Sequence, residues 1–156
     1  MLKQYGYVRV GAIVNQTRLA DVFYNVNEMK RMLDQAIQSG VEIVSFPELS
    51  ITGYTCQDLF LTDDLLNQTL AGLEELKRYS KDHAIVFIVG APLRIGNALY
   101  NCGVTFSNGK IIGVTPKTFI PNYSEFYEAR YFASGINLNT KEIEYMQSQI
   151  MNICVY

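Results

Sequence analysis

The chain has 156 residues, with 49% hydrophobic and 18% charged side chains and a formal net charge of −2. That is the composition of one folded domain with a real core, not of a disordered chain. The charge balance argues against a general nucleic-acid surface, and no apolar run approaches the length of a membrane span. Three cysteines, Cys56, Cys102 and Cys154, have no CxxC spacing, so neither a disulfide framework nor a zinc site is expected. The opening "MLKQYGYVRV" has no signal-like apolar segment. The expectation is a cytoplasmic protein with reduced thiols.

In chain order, "YVRVGAIV" (7–14) predicts a buried strand, with Val8, Val10, Ala12 and Val14 alternating. Asn25 is placed to cap a helix, with Glu28 reaching back to it. Val26, Met29, Leu33 and Ile37 then form one apolar stripe, and Gly40 supplies the stop. "VEIVSF" reads as a second buried strand ended by Pro47. Strand, helix, strand is a βαβ unit, which predicts a mostly parallel sheet.

A second helix is expected from about Asp63 to Asp82, its stripe carried by Leu66, Leu70 and Leu73 with Leu76 nearby. The "KRYSK" stretch on it reads as a solvated face. "AIVFIVGAP" is a third strand. "ALYNCGVTF" and "KIIGVTPK" flank Asn108-Gly109, a two-residue hairpin signal. The antiparallel pair ends at Pro116-Lys117. From Thr118 to Gly135 an aromatic loop follows, carrying Glu125, Glu128 and Arg130. His83, the single histidine, reads as a helix-end residue.

Glu48 and Lys117 each stand where a strand runs out, the usual place for chemistry on an open α/β sheet. A carboxylate there can take a proton as general base, and an ammonium can hold developing negative charge. The plainer alternative is that each is an exposed strand-end charge.

The wording around them decides the reading. "GVEIVSFPELSITGYTCQDLF", "VGAPLRIGNALYNCGV" and "PKTFIPNYSEFYEARYFASG" together resemble the nitrilase, or carbon–nitrogen hydrolase, superfamily. More narrowly they resemble the glutaminase domains of glutamine-dependent NAD synthetases. The resemblance runs over residues 1–138 as a partial carbon–nitrogen hydrolase (glutamine amidotransferase) domain, with 139–156 a divergent or truncated tail. It implies an α/β fold, the first half of a four-layer α-β-β-α sandwich. It also implies low stability for the isolated chain, because an uncovered sheet face and edge invite aggregation.

Family members use a glutamate, a lysine and a cysteine. The resemblance makes Glu48 the general base and Lys117 the oxyanion support. It gives Glu128 the place of an additional glutamate that orients the lysine, and Tyr54, Tyr123 and Phe126 the lining of a glutamine pocket. The nucleophile has no clear counterpart. Cys56 and Cys102 read as packing residues. Cys154, in "NICVY", follows Lys117 too closely and lacks acidic companions, since Val155 and Tyr156 come next. The nucleophilic cysteine is therefore expected to lie outside this chain.

The implied activity is hydrolysis of glutamine to supply ammonia for ATP-dependent amidation of nicotinic acid adenine dinucleotide. No cofactor is expected in this domain. ATP and Mg2+ would serve a synthetase domain, whose SGGxDS-type pyrophosphate loop does not occur here, nor does any P-loop or GxGxxG. Homo-oligomers are the family habit. Two alternatives stay open: a stand-alone nitrilase-type amidase, and a non-catalytic fragment acting through partner packing.

Overall fold

A computed structural model describes residues 5–138, 142–145 and 149–152. Its centre is a five-stranded sheet in the order β1-β2-β3-β4-β5. The strands are β1 (Val10–Ala12), β2 (Ile43–Ser45), β3 (Val86–Ile95), β4 (Ala98–Ser107) and β5 (Lys110–Pro116). Two helices, α1 (Val22–Gln38) and α2 (Asp63–Lys81), make the expected connections. A separate antiparallel ribbon pairs β6 (Glu142–Tyr145) with β7 (Gln149–Asn152).

The sheet is mixed, which corrects the expectation of a mostly parallel one. β1, β2 and β3 run parallel, while β3, β4 and β5 are antiparallel neighbours. The long β3–β4 hairpin turns at Gly96-Asn97, with Gly96 at a φ of +59°. The β4–β5 turn is the predicted Asn108-Gly109, with both residues at positive φ, 49° and 73°. That is the mirror-image turn whose twist suits antiparallel strands.

One sheet face carries the core. Val44, Phe87 and Phe106 lie in register across β2, β3 and β4, and all three are fully buried. Phe87 stacks on Phe106 at 4.9 Å between ring centres and meets Tyr79 of α2 edge-on at 6.4 Å, which places this face under the helices. The helix stripes supply Val26, Met29, Leu33, Leu73 and Leu76. The helices approach closely at Gly72, where a Cβ would stand 2.7 Å from Val22 Cγ1.

Two expectations need correction. The first strand is short and not buried: Val8, Val10 and Val14 are exposed, Val10 at 68%. Alternation put these valines on one face, but that face is the open one. The cap of α1 is Asp21, whose carboxylate accepts the Tyr24 N–H at 3.0 Å. Asn25 is buried inside the helix instead. It accepts the Arg18 N–H at 2.7 Å and donates to the carbonyls of Arg18 at 2.8 Å and Ile51 at 2.9 Å. Glu28 does not reach back; it pairs with Arg31 one turn on.

Candidate active site

Glu48 projects from a tight turn at the end of β2. The turn is sewn to β3: Phe46 N–H donates to Ile88 O at 2.9 Å, and Ile51 N–H to Gly90 O at 3.1 Å. Gly90 N–H in turn donates to Ser50 Oγ at 3.1 Å. A Cβ on Gly90 would stand 2.2 Å from Leu49 N and 2.8 Å from the Glu48 carbonyl carbon. Glycine is therefore demanded at 90 by the backbone that carries Glu48, a close approach of the kind a strand glycine often marks. Leu49 itself sits at a φ of +49°, a strained position for a side chain with a Cβ.

Lys117 follows β5. Its N–H donates to Asn101 O at 2.7 Å, and its carbonyl accepts the Gly135 N–H at 2.9 Å. Gly135 packs so closely on Pro116 that a Cβ there would meet the Pro116 carbonyl oxygen at 3.0 Å. Glu128 opens a single 3-10 turn (Glu128–Arg130), where its carbonyl accepts the N–H groups of Tyr131 and Phe132, each at 2.9 Å.

These three segments bring their side chains to one point. The Lys117 ammonium donates to Glu48 Oε1 at 2.7 Å and to both Glu128 oxygens, at 3.1 and 2.9 Å. Glu128 is only 6% exposed, and its Oε1 also accepts the Tyr54 hydroxyl at 2.6 Å. Asn101, buried on β4, donates to Glu48 Oε1. Sequence reasoning missed this residue; the signal available was a polar side chain within the apolar run "ALYNCGV".

The charges tune one another. Partial burial draws the Lys117 pKa down, but hydrogen bonds and attraction from Glu48 and Glu128 together outweigh it, and the net position is above the ordinary lysine value. Lys117 is thus a firm cation at neutral pH. Burial, then the hydrogen bond to Glu128, pushes the Tyr54 hydroxyl upward, so it stays a donor.

An apolar hollow adjoins the cluster, lined by Leu49, Tyr54, Phe126, Tyr127, Glu128 and Phe132 among others. Phe126 is in this wall. Tyr123 is not; it is exposed and meets Phe126 edge-on at 5.8 Å from outside. Glu48, Asn101 and Lys117 border a second, shallower hollow with Pro47 and Thr115.

Neither described cysteine suits nucleophilic attack. Burial raises the Cys56 thiol, and its Sγ contacts Thr52 O at 3.1 Å. Cys102 is pushed up to about 12 by burial. A thiol serves as a nucleophile only as thiolate, so both are inert by position. Cys154 lies outside the described residues. His83 stacks on Tyr79 at 4.0 Å and is hydrogen-bonded to its carbonyl oxygen at the end of α2.

Sequence comparison identifies the family of the chain. The carbon-nitrogen hydrolase family matches residues 9–156, so the chain belongs to that family. Within it, the glutamine-dependent NAD(+) synthetase of Mycobacterium tuberculosis (strain ATCC 25618 / H37Rv) is 38% identical over 132 residues, 85% of this chain and 19% of the relative. That of Aquifex aeolicus is 31% identical over 117 residues, 75% of this chain and 20% of the relative. The chain thus spans about a fifth of the length of these relatives.

Among solved structures, a glutamine-dependent NAD(+) synthetase from Cytophaga hutchinsonii superposes with a TM-score of 0.83 at 30% identity. That match covers 94% of this chain and 25% of the other. An amidase from Nesterenkonia sp. superposes with a TM-score of 0.71 at 16% identity over 90% of this chain and 52% of that one, a likeness of fold.

Proposed function

We propose that this chain forms the glutamine-handling part of a glutaminase that supplies ammonia for NAD synthesis. One observation carries the reading: the Lys117 ammonium is held between Glu48 at 2.7 Å and Glu128 at 2.9 Å, beside the hollow walled by Tyr54 and Phe126.

In this reading Glu48 takes the proton of an attacking thiol, which the described cysteines do not supply. The thiolate adds to the side-chain amide carbon of glutamine. Lys117 faces the oxygen that gains negative charge, stabilising it where it develops. The C–N bond breaks as Glu48 returns the proton to the departing nitrogen, releasing ammonia and leaving a thioester. Water, deprotonated by the same carboxylate, then attacks the thioester carbon, and the thiol is restored as glutamate leaves. Glu128, held by Tyr54, keeps the lysine aimed and gives the hollow a negative end that suits an ammonium or amide group.

Ammonia would pass to a synthetase unit that consumes ATP with Mg2+ to amidate nicotinic acid adenine dinucleotide. No residue of this chain is assigned to either, because a pyrophosphate-cradling glycine loop has no counterpart in the sequence. Assembly as a homo-oligomer and action in the cytoplasm belong to the same reading. Among the described residues, no helix is long and apolar enough to cross a membrane.

The test is calorimetric titration of the chain with L-glutamine, L-asparagine and L-glutamate, alongside an assay for released ammonia. Glutamine is expected to bind in preference to asparagine, and Glu128→Gln to weaken it, with no turnover from residues 1–156 alone. Absence of glutamine binding at millimolar concentration would sink the proposal. Ammonia release that disappears in Cys154→Ala would instead move the nucleophile to that residue.

A further inference from the structure

Among the described residues, Glu48 is held through one carboxylate oxygen. Its Oε1 accepts from Lys117 Nζ at 2.7 Å and from Asn101 Nδ2. No hydrogen bond reaches Oε2 among the described residues. Asn101 is 4% exposed on an interior strand, opposite Pro92 of β3, and its carbonyl oxygen accepts the Lys117 N–H. One residue thus grips the carboxylate through its side chain and the lysine through its main chain.

The residue type matters. An ammonium is a compact charge on a flexible stem, so Lys117 attracts the carboxylate without fixing which oxygen it meets. A primary amide is a planar donor with no net charge. Facing a carboxylate, it must present its NH2 rather than its oxygen, so the electrostatics settle the orientation of the Asn101 amide. A buried amide on a paired strand has little freedom to follow a rotating carboxylate. It holds Oε1 in one direction and adds no second full charge beside a group that must accept a proton.

We propose that Asn101 is a positioning residue for Glu48: it anchors Oε1 and leaves Oε2 turned outward as the proton-accepting atom. A general base must offer a lone pair within hydrogen-bond reach of the proton it takes. Asn101 makes that lone pair always the same one. The base role rests on the glutaminase reading above; the contact between Asn101 and Glu48 does not.

The experiment follows the side-chain amide 1H–15N resonances of the 156-residue chain through the carboxylate pH range. The Asn101 amide is expected to shift with one carboxylate titration. Glu48→Gln should abolish that pH dependence, and Glu128→Gln should leave it. An Asn101 amide that is indifferent to Glu48→Gln overturns the proposal. In Asn101→Leu, the Lys117 Nζ resonance should move and broaden while the methyl groups of Val44 and Val104 stay in place. Core methyls that move while Lys117 stays would mark a packing role and overturn it equally.

Should Asn101→Leu not fold, the Glu48→Gln comparison decides alone. Adding L-glutamine to the same samples separates the two readings. An intact Asn101–Glu48 coupling without glutamine-induced shifts at Tyr54 or Phe126 sinks the glutaminase reading, and with it the base role of Oε2. Glutamine-induced shifts without that coupling sink the Asn101 proposal only.

Discussion

The two faces of the sheet are built to different ends. Toward the helices, Val44, Phe87, Val89, Val104 and Phe106 are fully buried, and the aromatic pair stacks. On the other face Val8, Val10, Val14 and Ile43 are exposed, and Glu48, Asn101 and Lys117 gather at its edge. The strands are shared, so the backbone cannot explain the difference. What differs is the partner: two amphipathic helices cover one face, and the described residues leave the valines of the other open. Burial is concentrated on the first face, and the candidate site lies on the second.

The largest expected effect therefore falls on the helix side. Phe87→Ala should cost about 3–5 kcal/mol, the range for an aromatic removed from a packed core. Denaturant unfolding followed by circular dichroism checks this, and a loss below that of an ordinary surface change would break the contrast. Next comes Gly90→Ala, which acts across both faces. Its Cβ would collide with backbone rather than with a side chain that could turn aside. A cost of about 1–3 kcal/mol is expected from overpacking. On the glutaminase proposal, glutamine binding should fall by more than the stability loss explains, because the displaced turn carries Glu48. Equal stability with unchanged binding would show that the turn can lift off β3 freely.

How much of this was legible in the sequence differs between the faces too. Helix stripes, the Gly40 stop and the Asn108-Gly109 turn are local signals, and the structure has each where the pattern put it. The segment 7–14 has the pattern of a buried strand yet is exposed, because a period of two fixes which residues share a face, not what covers that face. Asn25 fitted a helix cap equally well on paper. It lost that role to Asp21 because its amide serves Arg18 and Ile51, a tertiary demand with no local trace.

The site depends on contacts still further apart. Glu48 and Lys117 are 69 residues distant in sequence and meet through the pairings of β2 with β3, β3 with β4 and β4 with β5. Strand-end position suggested each residue, and family wording supplied Glu128 and Tyr54; no spacing rule joins all four. Asn101 and Gly90 left fainter signs, a polar residue and a glycine within apolar strands, whose meaning appears only with the neighbouring strand in place.

A smaller effect concerns pH. Lys117 has its folded-state pKa raised above the ordinary 10.5, so its ion pairs add stability fully below that value. The contribution is lost as pH rises through the raised value. Tyr54 is shifted the same way from its ordinary 10.0, so its hydrogen bond to Glu128 disappears in the same alkaline window. The stability gap between the wild type and Tyr54→Phe should be flat from neutral pH to about 9 and close above about 10. Its size should be on the order of 1 kcal/mol or less, as for partly exposed polar pairs. A gap that closed on acidification alone would place the relevant proton on a carboxylate instead.

The smallest expected effect tests the open face directly. Val10 is a β-branched residue on the edge strand, 68% exposed and, among the described residues, paired with Ile43 of β2 alone. Threonine has nearly its shape and a comparable preference for strands, so Val10→Thr keeps the backbone and removes apolar surface from water contact. Stability should change by no more than about 0.5 kcal/mol, as at a surface position. Solubility should improve, since an exposed apolar edge strand is a template for self-association. Light scattering during concentration measures the second quantity and unfolding the first. A loss approaching that of Phe87→Ala would mean that Val10 is covered in solution, either by another part of this chain or by a second copy. Dilution separates those two, because burial between copies weakens with concentration and burial within the chain does not.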